Sequence, residues 1–162
     1  MEELEQVVKK TLEELKKRYE IYLDFTLKIN KALKENSFNE LKNYFYNRDR
    51  MIVEIDDINK IFIPVEDYFI KKIGKPSPSW KEIMSEIGNE NLDKNYNALK
   101  KLLDEIKKLE EDNAELIKIN EKNIEKYIKD MRNKYIGIKN YSEKRLEIRE
   151  KGEKARFIDK KL

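Results

Sequence analysis

Two groups of adjacent carboxylates, Asp56-Asp57 and Glu110-Glu111-Asp112, are the residues here best suited to move protons or hold a cation. Acid–base chemistry needs two such groups converging on one bond. Neighbours on a helix point about 100° apart, so they diverge instead. The expectation is therefore solvated surface charge at both places. Gly74-Lys75 has the ending of a phosphate loop, but the earlier glycine is missing and Pro76 stands where Ser or Thr would hold magnesium. Nucleotide binding is not expected there.

The rest of the chemical inventory is sparse. Among 162 residues there is no cysteine and no histidine. That removes thiolate nucleophiles, disulfides, the usual zinc ligands and the commonest general base near neutral pH. No catalytic residue, metal or cofactor is expected, and the chain does not read as an enzyme. Nine tyrosines and the single tryptophan, Trp80, are left as the notable side chains. Tyr19 and Tyr22 fit a helix seam and read as packing residues. Tyr127, Tyr135 and Tyr141 lie late in the chain, where core packing and partner contact are both open.

Charged residues make up 43%, with only four glycines and three prolines, which disfavours turn-rich β folds. Thirty-six basic and 33 acidic residues give a net charge of +3. Residues 142–162 hold eight basic and five acidic side chains, so the body before them is neutral. Lys and Glu alternate along it as on solvated helix faces, and no nucleic-acid partner is expected. Glu2 and Glu3 are the reverse of a basic signal-peptide start. The longest apolar runs are far too short to span a bilayer. A cytoplasmic location is the expectation.

Three long amphipathic stretches must position whatever these side chains do. In residues 2–35, Val8, Leu12, Leu15, Tyr19, Tyr22, Thr26, Ile29 and Leu33 recur in steps of four and three, which is a helix seam facing a partner. Ser37 and Glu40 have capping-box spacing and predict a second helix over 37–64, with Leu41, Phe45, Ile52, Ile55 and Phe62 inward and Pro64 as its stop or kink. Residues 65–91 read as a connection. Ser79 and Glu82 cap a short helix there, Gly88 ends it, and Trp80, Ile83, Met84 and Ile87 form an apolar plug.

A third helix is predicted over 92–150. Leu92, Leu99, Leu102, Ile106, Leu109 and Leu116 form its first stripe, with Asn113 at a seam position. The register then slips by one, and Ile117, Ile124, Ile128, Met131, Tyr135 and Ile138 continue it. Residues 152–162 read as a basic flexible tail carrying Phe157 and Ile158. The fold expected is all-α, a single domain: an elongated antiparallel helical hairpin or three-helix bundle with coiled-coil-like packing. The first and third segments would pair antiparallel, with the second alongside. At about 85–90 Å the third helix would outrun the first, leaving an uncovered apolar face over residues 124–148.

Taken together, the long helices, the Trp-containing connection, the run Leu109-Glu110-Glu111-Asp112-Asn113-Ala114-Glu115-Leu116 and the ending Ala155-Arg156-Phe157-Ile158-Asp159-Lys160-Lys161 resemble the FlgN family of flagellar type III export chaperones. That resemblance implies binding of the C-terminal helices of hook-associated junction proteins. The client is kept soluble and unassembled, then delivered to the export gate and its ATPase components, the only membrane contact. Client-binding residues would be Ile124, Tyr127, Ile128, Met131, Tyr135, Ile138, Ile148, Phe157 and Ile158, and Tyr141 would dock on the gate. A monomer or weak dimer is implied. The competing expectation is a structural coiled coil that homo-oligomerises through the same stripes and has no client.

Overall fold

The computed structural model describes residues 2–134, and these form five helices and no strand. They are α1 (Glu2–Lys34), α2 (Leu41–Ile73), α3 (Trp80–Ile87), α4 (Glu90–Ile119) and α5 (Glu121–Lys134). The protein is all-α, as the periodicity predicts. Its described residues group into two compact units, each with its own core. Unit one takes 2–22 and 50–105, and unit two takes 23–49 and 106–134.

In unit one the core is built from Val8, Leu12 and Leu15 of α1, Ile55, Phe62, Val65 and Phe69 of α2, Ile83 and Met84 of α3, and Leu92, Leu99 and Leu103 of α4. Trp80 stacks on Phe62 with ring centroids 4.5 Å apart, so the expected plug is present. The expected capping box is present too. Glu82 N–H donates to Ser79 Oγ, and Ser79 N–H donates to the Glu82 carboxylate at 2.8 Å. Gly88 closes α3 at φ 69°, a left-handed conformation that glycine adopts without a Cβ penalty. A hydrogen bond from Lys75 and those from Ser79 hold the Glu82 carboxyl down at about 2.

α2 departs from expectation at both ends. Ser37 does not cap it. Its N–H donates to Ala32 O at 2.9 Å and Asn36 N–H donates to Leu33 O, with Asn36 in the left-handed region at φ 51°. That pair of bonds closes α1, and asparagine tolerates the left-handed turn. Glu40 accepts from Asn43 instead of reaching back, and α2 begins at Leu41. Nor does Pro64 stop the helix, which runs on to Ile73. Pro64 lies on the exposed side, so the carbonyl that loses its amide partner faces water, where the loss is least costly.

Unit two buries Ile29, Ala32 and Leu33 of α1, Leu41 and Phe45 of α2, and Ile124 of α5. Beside this apolar cluster lies a polar layer. Arg48 of α2, 1% exposed, donates from Nη1 to both oxygens of Glu110 of α4 at 3.0 and 3.1 Å. Thr26 Oγ1 donates to the same carboxylate at 3.3 Å. Asn30 donates to Asn113 Oδ1 at 2.9 Å, and Asn113 donates to Thr26 O. Asn120 donates to Leu33 O.

These bonds correct three expectations. Glu110 is not solvated surface charge but 7% exposed, inside an ion pair. There is also no register slip. The inward positions 92, 96, 99, 103, 106, 110, 113, 117, 120 and 124 alternate by four and three without interruption. The slip arises only when charged Glu110 is refused a seam place. Finally, α4 runs parallel to α1, since Thr26, Asn30 and Leu33 meet Glu110, Asn113 and Asn120 in the same order. The antiparallel pair is α1 with α2. A second helix of 33 residues carries the chain back before α4 begins.

Replacing Ser79 by Ala removes the α3 cap and is expected to lower unfolding free energy by about 1 kcal/mol in urea titrations. The Glu82 carboxyl is depressed in the folded chain from its ordinary 4.5, so its contribution is complete above pH 4.5. It should fade as pH falls towards 2, and the gap between wild type and the Glu82→Gln variant should close over that window.

Candidate functional site

The predicted client face begins on α5, and its described part is not open. Ile124 is 4% exposed within the unit-two core, a correction to its placement on an uncovered strip. The seam that carries Asn113 and Asn120 carries it too, which is why the other helices cover it. Ile128 is half-buried against the same cluster. Tyr127 is half-buried, its hydroxyl donates to Asn39 Oδ1 at 2.9 Å, and its ring meets Phe38 edge-on at 5.9 Å. Met131 is half-buried. Tyr135, Ile138, Tyr141, Ile148, Phe157 and Ile158 lie outside the described residues, as do the rest of the predicted third helix and the tail.

The sequence reading missed a different surface, in unit one. Val53 is 60% exposed, Ile61 71% and Tyr68 39%, and exposed Pro64 lies among them. Steps of eight, three and four place all four on one side of α2, within an arc of about 80°. The opposite side supplies Ile55, Phe62, Val65 and Phe69 to the core. α2 is thus apolar on two faces and only one is covered. The spacing was readable, but ending the helix at Pro64 split the stripe in two.

Charged pairs interrupt and edge this stripe, with Asp57 and Arg50 inside its arc and Glu54 and Lys60 beside it. Arg50 Nη2 meets Glu54 Oε1 at 3.4 Å, and Lys60 Nζ meets Asp57 Oδ1 at 2.8 Å. That hydrogen bond from Lys60 to Asp57 raises the Lys60 pKa. Such pairs keep an exposed helix soluble and contribute only tenths of a kcal/mol each.

The described residues offer little reactive chemistry. They hold no group of three or more metal-ligating side chains, and no described helix is long and apolar enough to cross a membrane. Burial, followed by the nearby Asp56 charge, pushes the Tyr19 phenol up to about 12. It stays protonated at neutral pH and packs as a seam residue. Compared with protein-family models, with characterised proteins and with solved structures, the chain shows no match.

Two substitutions separate core from surface. Ile124→Ala should cost about 2–5 kcal/mol of stability, as for other buried aliphatics. Ile61→Ser should change it by no more than about 0.5 kcal/mol, because that side chain is already in water. Paired thermal melts check both.

Proposed function

We propose that this chain is a non-enzymatic helix-binding chaperone of the flagellar type III export kind. It would hold the C-terminal helices of hook-associated junction proteins in the cytoplasm until delivery to the export gate. The observation that carries the reading is the exposed Val53, Ile61 and Tyr68 stripe on a helix whose other face is fully used. A stripe at helical spacing suits one occupant, the apolar side of an amphipathic client helix. The resemblance in residues 109–116 and 155–161 supplies the class of client.

A second copy of the chain suits the stripe less well. Laid antiparallel so that Val53 meets Tyr68, two copies would set Arg50 against Lys71 within the stripe. Like charges facing each other across an interface disfavour it. A monomer or weak dimer follows, and a client free of that charge pattern is preferred.

Magnitude decides what else is needed. Side chains this exposed gain roughly 1–2 kcal/mol each on burial, or about 4 kcal/mol together. Before the cost of association, that alone gives an affinity no tighter than about 1 mM. A useful chaperone needs a second patch. Tyr135, Ile138, Ile148, Phe157 and Ile158 are the candidates, with Tyr141 left for the gate. Two weak sites on one client multiply rather than add.

The test is titration calorimetry with the C-terminal helical fragment of a junction protein. Binding one to one is expected, weakened at least about tenfold by Ile61→Asp and again by truncation after residue 134, since each removes one of two linked sites. No binding by the full chain, or a stable homo-oligomer in light scattering, would reject this reading in favour of the scaffold.

A further inference from the structure

The polar layer of unit two is an expensive thing to bury. A guanidinium and a carboxylate lose their water, and a well-packed apolar pair of similar volume would serve stability as well or better. Something other than stability must account for it, and the seams show what the bundle lacks without it. α1 repeats by sevens through Tyr22 and Ile29, and through Thr26 and Leu33. α4 repeats by sevens through Ile106 and Asn113, and the repeat carries on to Asn120 just past its end. Two such seams made only of aliphatic residues would fit nearly as well when shifted by one heptad, apolar on apolar.

The polar residues break that equivalence. Glu110 meets Thr26 Oγ1 and Arg48 Nη1, while Asn113 meets Asn30 Nδ2 and the Thr26 carbonyl. Shifting α4 by seven residues along α1 would set the Glu110 carboxylate against Leu33, which has no side-chain donor. It would also separate Asn113 from both of its partners. Each misplaced group would be buried and unsatisfied, which costs far more than a misplaced methyl. Arg48 adds the third helix. Its donation to both Glu110 oxygens fixes α2 against α4 at the level where Thr26 fixes α1.

We infer that the Arg48–Glu110 pair, with Thr26, Asn30 and Asn113, is a register lock. It selects one axial alignment of α1, α2 and α4 in unit two without being the main source of that unit's stability. This inference concerns folding specificity and is independent of what the protein binds.

The chain has no cysteine, so introduced ones report cleanly. Lys34 and Asp112 form an exposed ion pair at 3.3 Å in the native alignment. Glu105 is one heptad back along α4 and is also exposed, and the shift that sets Glu110 against Leu33 would bring it to Lys34. The variants K34C/D112C and K34C/E105C are made in the native full-length chain and in one carrying R48M/E110L. Each is treated with a short bis-maleimide, and the yield at 34–105 is divided by the yield at 34–112. In the apolar-core chain the melting temperature should hold or rise, and the ratio should increase by about an order of magnitude as the shifted alignment becomes populated. A ratio unchanged from the native core overturns the inference, because alignment then survives without the Arg48–Glu110 pair on which the lock is centred. Failure of the R48M/E110L chain to fold also overturns it, because the pair would then be a stability element. Amide spectra give an independent reading: more than one set of peaks supports the lock, and a single native-like set opposes it.

Discussion

A guanidinium taken out of water needs anions around it, and beyond Asp49 on its own helix Arg48 reaches Glu110 only when three helices of unit two stand at one level. Arg48 reaches Glu110, Glu110 accepts from Thr26, and Asn113 accepts from Asn30 beside them. Everything near that level follows from it. The polar groups fix which residues of α4 face α1, and this places Asn120 where its amide reaches Leu33 O. With Asn120 set, Ile124 comes four residues later on the same seam and enters the core. The bond from Ile124 N–H to Asn120 O carries the backbone ladder on into α5. A solvent-exposed ion pair of the same geometry would have none of this leverage, since water would satisfy either partner alone.

Much of this was legible in the sequence, and the failures share a cause. All eight seam positions of α1 are buried or half-buried, because a four–three repeat of apolar residues has few other ways to be satisfied. The Ser79–Glu82 box was legible because both of its bonds are local. Ser37 and Glu40 show the same spacing, yet their groups are used elsewhere. A left-handed residue at Asn36 diverts the Ser37 amide to α1, and no rule of spacing registers that competition. Pro64 was misread for want of a face: proline is costly inside a bundle and tolerable on its outside. Glu110 was the costliest misreading. Excluding one charged residue from the seam created a slip that does not exist, and with it a rotated, uncovered strip.

That error also moved the candidate site. Of the nine client residues expected, four are described. One of these lies in the core, and three are half-buried. The strip expected on α5 is sheltered by the chain itself as far as it is described, so the described residues no longer favour a client face there. An open apolar stripe lies on α2, a helix the sequence presented as ordinary. Its outer stripe was hidden by two assumptions, that proline ends a helix and that one apolar face is all a bundle helix carries. The polar layer was half visible. Asn113 was placed on the seam, but its partners Thr26 and Asn30 sit on α1, and single-chain periodicity cannot pair them.

The same charge logic separates the inside of this protein from its outside. Within unit two, Arg48 meets Asp49 on its own helix through Nη2 and Glu110 on another helix through Nη1. On the open face of α2, Arg50 with Glu54 and Lys60 with Asp57 are satisfied within one helix and exposed to salt. These surface pairs leave little net field to steer a partner, so the proposed association there would be driven by the area of Val53, Ile61 and Tyr68. Area of that size would give weak contact with little preference for sequence. A binder built this way gains affinity by adding a second patch rather than by perfecting the first, and it gives up its partner when either patch is lost.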